Sequence, residues 1–343
     1  MRGFSIALAV SLLFGVSPCH GDTLNIVMTG DILLDRGVRQ VINRQGIDQL
    51  FSPSIDSVLQ SADVVVGNLE CPATKIKAPV FKQYIFRGEP EWLLDLKRHG
   101  VTHLNLANNH SIDQGREGLL DTYQNILKAG IIPFGAGQNM QEAIRPVLLS
   151  ETPRRVWIVA SLQLALENYA HLPDKPCVSQ QSIDALCEQI AQLRKDDPRC
   201  YIIVSLHWGW ENHEEVVPRQ RYDAHRLVNA GADALVCHHT HTRQPMEMYR
   251  DKPIYYGLGN FIFDPQRDIN RRGAIVRLTI TDNDAKAEEI PIYIKGCTPE
   301  LLRNETSKSS NSKSSNSKLS NSKLSNSKLS NSKLSNSKLS NSK

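Results

Sequence analysis

The chain has 343 residues and a formal net charge of +4, a length that holds one large domain or two. Eight of its lysines lie in the last 37 residues, which contain no acidic residue, so without that tail the balance is −4, and without Arg2 as well it is −5. The apparent basicity therefore belongs to the tail, and nothing marks the folded part as a nucleic-acid binder.

Both ends read as something other than globular fold. Met1-Arg2 followed by the apolar run Phe4–Val16 and then Ser17-Pro18-Cys19-His20-Gly21 has the order of a secretory signal, too short to span a membrane. Residues 1–21 are taken as a signal peptide and the protein as exported, to the periplasm or the outer face of the membrane. A lipid anchor on Cys19 is the alternative, but Pro18 is a poor match to the small residue that such processing favours. Residues 306–343 repeat a Ser-Asn-Ser-Lys-Leu unit with no aromatic residue, and such a segment is expected to be disordered.

Between these ends, residues 22–305 alternate strand, polar turn and helix, which predicts a single α/β layered domain. Leu24–Met28 is a strand that runs into Thr29-Gly30-Asp31, and a helix follows around Gly37–Asn43. Val64–Val66 is β-branched throughout and leads to Gly67-Asn68-Leu69-Glu70. A helix over Pro90–His99 stops at Gly100, and the strand Val101–Leu106 empties into Ala107-Asn108-Asn109-His110. Gly118–Ala129 is helical, Ile131–Pro133 is a strand, and Gly135-Ala136-Gly137 reads as a turn and only weakly as a phosphate loop. Strand Arg155–Leu162, an irregular stretch Glu167–Cys177 and an amphipathic helix Ile183–Leu193 follow.

The next stretch carries the densest chemistry. Tyr201–Leu206 breaks off into His207, a helix intervenes, and Asp233–Val236 leads through Cys237 into His238-His239-Thr240-His241. Strands over Ala274–Ile280 and Ile290–Ile294 close the fold. Cys177, Cys187 and Cys200 lie close enough in sequence to be disulfide candidates in an exported protein, and Cys237 reads as a buried thiol.

Asp31, Asn68, Glu70, Asn109, His110, His207, His239 and His241 all fall where a strand ends, the place where α/β proteins build sites. Carboxylates, an amide and several imidazoles suit zinc, manganese or iron, whereas an oxygen-only set would point to calcium or magnesium. Asp31 or Glu70 can bridge two cations, offsetting their repulsion. Such a pair could polarise a phosphoryl oxygen and bring the pKa of water toward neutrality. Each residue also has a plainer reading: Asp31 and Asn68 as turn formers, His110 as an ordinary hydrogen-bonded histidine, His207 packed on Trp208.

Six stretches, in order, resemble one family: Thr29-Gly30-Asp31, Gly67–Thr74, Leu106–Gly115, His207-Trp208-Gly209-Trp210-Glu211, His238–His241 and Gly257-Leu258-Gly259-Asn260-Phe261. The family is the poly-gamma-glutamate capsule biosynthesis (CapA/PgsA) proteins, which are similar to calcineurin-like metallophosphoesterases. The resemblance implies a metallophosphoesterase-like β-sandwich flanked by helices, a four-layer α/β/β/α fold. It implies Asp31 as the first-motif aspartate, Glu70 as bridge, Asn109, His207 and His239 on one metal and His241 on the other. His110 matches a proton donor beside the leaving group, with Asp31 or Glu70 holding the nucleophile. Asn68, Glu211 and His238 stand nearby as candidate substrate contacts.

The chain departs from that pattern in three places. Leu33 stands where a phosphoesterase of this fold carries histidine, Asn68 and Glu70 stand in place of the usual aspartates, and Cys237 replaces a glycine. The first metal set is thus reduced to Asp31, Glu70 and His241, a site that is weak, empty, or completed by water or by Glu211. The expected function is an exported capsule or exopolymer biosynthesis protein of the poly-gamma-glutamate type, with one or two divalent ions (Mn, Zn or Fe) and a hydrolytic site for a phosphoester or an amide. The alternative is a non-enzymatic export or assembly partner using a degenerate pocket. Expected partners are the polymer and its synthesis and export machinery, with membrane association through those partners or through Cys19.

Overall fold

The computed structural model describes residues 23–302, residue 168 excepted. The leader (1–21), Cys19 and the repeat tail (306–343) lie outside the described residues. In chain order come β1 (Leu24–Ile32), α1 (Arg36–Gln45), α2 (Pro53–Gln60), β2 (Val64–Leu69), α3 (Trp92–Arg98), β3 (His103–Asn105), α4 (Gly115–Lys128), β4 (Ile132–Phe134) and β5 (Ala136–Gly137). Then follow α5 (Met140–Ala143), β6 (Val147–Ser150), β7 (Val156–Leu162), β8 (Cys177–Val178), α6 (Ile183–Asp196), β9 (Tyr201–His207), α7 (Pro218–Ala230) and β10 (Ala234–His238). The last strands are β11 (Met246–Tyr249), β12 (Lys252–Tyr255), β13 (Asn260–Ile262), β14 (Arg272–Ile280), β15 (Ala285–Lys295) and β16 (Thr298–Leu301).

Two sheets stack face to face. The first runs β16-β15-β14-β1-β2-β3-β4, with β13 also paired to β1; the second runs β11-β12-β10-β9-β7-β6. β1 through β4 are mutually parallel, as are β7, β9, β10 and β12. The period of two along each strand sorts side chains between layers. Leu24, Ile26 and Met28 of β1, with Tyr201 and Ile203 of β9 and Ala234 and Val236 of β10, fill the core between the sheets. Ile202, Val204, Leu206, Leu235 and Cys237 face the other way, onto Ile190 of α6 and Leu227 of α7. Val27 and Val65 meet Val38 of α1, Leu59 of α2, Leu96 of α3 and Ile126 of α4 on the outer face of the first sheet. The expected four-layer α/β/β/α arrangement is the observed one. Strands buried on both faces read as continuous apolar runs, which is why β2, β9 and β10 were legible in the sequence.

Several elements differ from expectation. The Ser52 hydroxyl accepts from Ile55 N–H at 3.4 Å and Pro53 opens the helix, so α2 forms and buries Ile55, Val58 and Leu59. β15 extends back to Ala285 through the polar run Lys286–Glu289, because antiparallel pairing with β14 (Ile280 opposite Ala285) holds it in register. Gly135–Gly137, expected as a turn, contains the short strand β5, in which Ala136 and Gly137 pair with Val178 and Cys177. Cys177, Cys187 and Cys200 form no disulfide; they sit in β8, in α6 and before β9, and all six cysteines described are free thiols. Burial pushes the Cys71 thiol up to about 12 and raises that of Cys237 as well. Among the described residues no helix is long and apolar enough to cross a membrane.

Candidate metal centre

Strand pairing lines up the polar residues at the carboxyl ends of both sheets. Asp31 lies opposite Asn68 and Asn260, Asn68 opposite Asn105, and His207 opposite His238. The sheets are stitched together here: His238 Nε2 meets Thr29 O at 3.0 Å, and Asn105 Nδ2 donates to Ser205 Oγ at 3.3 Å. After β10 the chain must turn so that two imidazoles face back toward β1 and β2. His239 (φ 94) and His241 (φ 54) both take left-handed backbone conformations there, which are uncommon outside glycine.

Two overlapping groups result, Glu70 with His207 and His239, and Glu70 with Asp31 and His241; within each, the candidate ligand atoms lie within 4.8 Å of one another. Glu70 Oε1 is 3.6 Å from His207 Nε2 and 3.7 Å from His241 Nε2, while Asp31 Oδ2 is 3.4 Å from His241 Nδ1. Asn109 Oδ1 and His239 Nδ1 both approach His207 Nε2, at 2.8 Å and 3.1 Å. Asp31, Glu70 and His207 are fully buried.

The donor set fits a divalent cation. Asp31 Oδ2 and both Glu70 carboxylate oxygens are buried with no hydrogen-bond partner, an expensive arrangement for the protein alone. Burial, reinforced by the charge of Asp31, raises the Glu70 pKa well above the usual carboxylate range. Burial is the largest influence on Asp31 and opposes its ionisation too, but the adjacent His241 and His238 rings and the Asn68 amide together outweigh it and keep the pKa low. Burial and the neighbouring imidazoles drive His207 far down, and burial followed by the charge of His241 brings His239 to about 3, so both are in the neutral, metal-ligating form. Burial pulls His241 down as well, yet Glu70 and Asp31 outweigh it and hold this imidazole up at about 10. The site thus has one half rich in neutral imidazole and one half rich in carboxylate, joined at Glu70.

A cavity of about 340 Å³ opens beside these groups, lined by Arg36, Tyr84, Phe86, His110, His241 and Asn260 among others. His110 Nδ1 is 2.8 Å from Asp113 Oδ2, which leaves Nε2 as the ring nitrogen without a carboxylate. The other Asp113 oxygen is 2.7 Å from Lys82 Nζ, with both side chains buried.

Asp31, Glu70, Asn109, His207, His239 and His241 are therefore gathered in one place, with His110 on the adjoining wall. Four sequence expectations need correction, in whole or in part. Asn68 is fully buried and does not line the cavity; its amide donates to Asp31 Oδ1 at 2.8 Å and orients that carboxylate. His238 points at the backbone of β1, so it joins the sheets and is no substrate contact. Glu211 belongs to neither ligand group and so does not complete the Asp31 set, although it stands exposed on the cavity wall where a substrate contact was expected. His207 does not pack on Trp208, whose ring stacks on Tyr256 instead.

Sequence reasoning gave no role to Asn260, Asn108, Asp113 or Lys82. Asn260 Oδ1 lies 3.0 Å from His241 Nδ1, and Asn108 Oδ1 accepts from the backbone N–H groups of both His110 and Ser111. Asn260, Asn108 and Asp113 occur within the quoted motifs, so their positions were visible though their partners were not. Lys82 lies in an irregular connector and left no signal. Leu33 is fully buried in the apolar layer beneath the helices of the first sheet, so that layer gains a leucine and the centre no ligand.

Comparison with known proteins places this geometry. The family model for the bacterial capsule synthesis protein PGA_cap matches residues 25–265. The chain belongs to this capsule synthesis family. Among the family's curated members, the capsule biosynthesis protein CapA of Bacillus anthracis is 30% identical over 84% of this chain and 72% of its own length. The PGA biosynthesis protein CapA of Bacillus subtilis is 29% identical over 84% of this chain and 76% of its own. Solved structures similar to this capsule-family chain include a phosphatase of Mycoplasma pneumoniae, 16% identical over 80% of this chain and 94% of that one at a TM-score of 0.46. A 5'-nucleotidase precursor of Thermus thermophilus is 13% identical over 78% of this chain and 54% of that one at a TM-score of 0.42.

Proposed function

We propose that the chain is an exported capsule or exopolymer biosynthesis protein of the poly-gamma-glutamate type, acting as a metal-dependent hydrolase on a phosphoester or on the polymer's amide linkage. The observation that carries this reading is the pair of ligand groups sharing Glu70, with three buried carboxylate oxygens that accept no hydrogen bond from the protein. The names of its curated relatives support the polymer class, and the apolar run Phe4–Val16 supports export. The capsule synthesis machinery is the corresponding partner, by the same names.

Glu70, His207 and His239, joined by Asn109, would hold one divalent ion of the manganese, zinc or iron type; Asp31, Glu70 and His241 would hold a second. Such ions supply Lewis acidity toward a phosphoryl or carbonyl oxygen and make water a better nucleophile at neutral pH. The remaining steps belong to the chain. Asn68 fixes the Asp31 carboxylate, and Asn260 fixes the His241 ring. Asp113 takes the His110 Nδ1 proton in a hydrogen bond and leaves Nε2 to move a proton at the cavity. Burial lowers the His110 pKa, so the resting ring is neutral and takes up a proton before giving one to a leaving group.

One observation favours a second reading, a non-enzymatic assembly or export partner. Leu33 is committed to the apolar layer, which leaves the Asp31 half one histidine short of the related phosphoesterases. Metal analysis of the purified chain, with a hydrolase screen on phosphomonoesters and γ-glutamyl oligomers, separates the two. On the hydrolase reading, His239→Ala lowers bound metal, and His110→Ala keeps the metal but lowers turnover by about 10²–10⁴-fold. A wild-type chain that carries no transition metal, with no change in His239→Ala, would sink the metal centre. Bound metal without hydrolysis, together with intact polymer output in a His207→Ala strain, would select the assembly partner.

A further inference from the structure

Arg36 lines the same cavity and has no part in the chemistry above. It is the first residue of α1 and takes φ 54, an uncommon backbone state for a long side chain. Strain of this kind persists where the surroundings hold a residue in place. Here the guanidinium carbon lies 5.7 Å from the ring centres of both Phe86 and Phe263. Asp264 anchors the fork, with Nε 3.2 Å from Oδ2 and Nη2 3.1 Å from Oδ1. Asp264 is itself held by the Gly37 N–H at 3.1 Å, and a Cβ on Gly37 would come within 2.7 Å of the Asp264 Cβ. Glycine after Arg36 is what lets the carboxylate approach so closely.

Among the described residues Asp264 is the one ion-pair partner of Arg36, and the side chain stays 34% exposed, on the wall it shares with His110 and His241. We propose that Arg36 recognises a carboxylate or phosphate oxyanion of the substrate, next to the bond presented to His110 and the ligand groups. The proposal rests on the hydrolase reading for the identity of that bond. A guanidinium whose orientation is already fixed by two rings and a carboxylate loses little freedom on meeting a two-oxygen anion. Arg267 adds a second guanidinium to the wall. Two anions also line it. Asp264 is already paired with Arg36, and Glu211 is exposed to solvent, where screening weakens its repulsion. A cavity of about 340 Å³ is at the small end for ligand sites, so the oxyanion must lie close to the reacting bond.

The test is calorimetric titration of the full chain with tri-γ-glutamate and, separately, with phenyl phosphate, comparing wild type, Arg36→Asn and Arg36→Lys. Asparagine accepts a positive φ more readily than arginine, so Arg36→Asn removes the fork without fighting the backbone. The expected result is binding weakened at least about ten-fold in Arg36→Asn with bound metal and thermal midpoint near those of wild type, and a smaller loss in Arg36→Lys. The ligand whose affinity falls identifies the oxyanion. Wild-type affinity for both ligands in Arg36→Asn, or no binding of either ligand by the wild type, overturns the proposal. If Arg36→Asn melts early, Arg36→Lys decides, and undiminished affinity there overturns it. Metal content is read on the same samples: a metal-free wild type that still shows Arg36-dependent binding sinks the hydrolase reading and upholds this one.

Discussion

Replacing Glu70 by glutamine probes the physical basis of the centre directly. Asp31 and Glu70 are fully buried, and three of their four carboxylate oxygens accept no hydrogen bond, the charged ring of His241 at 3.4 Å from Asp31 Oδ2 and 3.7 Å from Glu70 Oε1 being their nearest compensation. Each buried polar atom left unsatisfied costs about 1–3 kcal/mol, so the pair burdens the metal-free chain by up to about 9 kcal/mol, less the attraction of the charged His241 ring. That is comparable with a net domain stability of about 5–15 kcal/mol. A cation between the carboxylates removes the burden, and at a hundred-fold excess over its Kd it adds about 2.7 kcal/mol. Glu70→Gln keeps the shape of the side chain and deletes one of the two like charges. The metal-free variant is therefore expected to melt above metal-free wild type, by ~2 °C for each kcal/mol relieved in a chain of this size. It is also expected to lose most of the further rise that wild type shows on adding Mn²⁺ or Zn²⁺. Scanning calorimetry on chelator-treated and metal-titrated samples reads both quantities. A variant that melts below metal-free wild type, or gains as much from metal as wild type does, refutes the reasoning.

Three further outcomes follow from particular contacts. Burial holds the His103 imidazole at about 4, so between its ordinary value near 6.5 and 4 the unfolded chain takes up a proton that the folded chain refuses. Stability therefore falls as pH drops through that window, by up to roughly 3 kcal/mol, and His103→Gln should flatten the slope in urea titrations run from pH 7 to pH 4; an unchanged slope would assign the acid sensitivity elsewhere. A Cβ at Gly30 would lie 2.0 Å from Gly259 O, a backbone atom that cannot rotate away, so Gly30→Ala should cost about 1–3 kcal/mol or more in denaturant unfolding. A denaturation midpoint equal to that of wild type would show that the backbone at Gly259 can move away from β1 at little cost. Placing a histidine at position 33 by Leu33→His should destabilise the chain by about 1–3 kcal/mol without raising bound metal, since the side chain sits in the apolar layer; an added equivalent of metal would contradict that placement.

Much of this protein was determined by the sequence alone. Runs such as Val64–Val66 and Tyr201–Leu206 are apolar because both faces of their strands are covered, and that pattern survives in one dimension. The strand-end positions of Asp31, Glu70, Asn109, His207, His239 and His241 were equally legible, because turn chemistry and strand length are local. What only the tertiary structure decided is which of these side chains face one another. Asn68 and His238 stand at strand ends like the others, yet one is turned under Asp31 and the other onto Thr29. A side chain's direction at a strand end depends on bulges and on positive-φ turns such as those at His239 and His241, where the period of two no longer applies. Contacts across more than 200 residues, such as Arg36 with Asp264, depend on the order in which strands join a sheet. No local pattern encodes that order, because it is set by how two sheets and their helices bury the most apolar surface together.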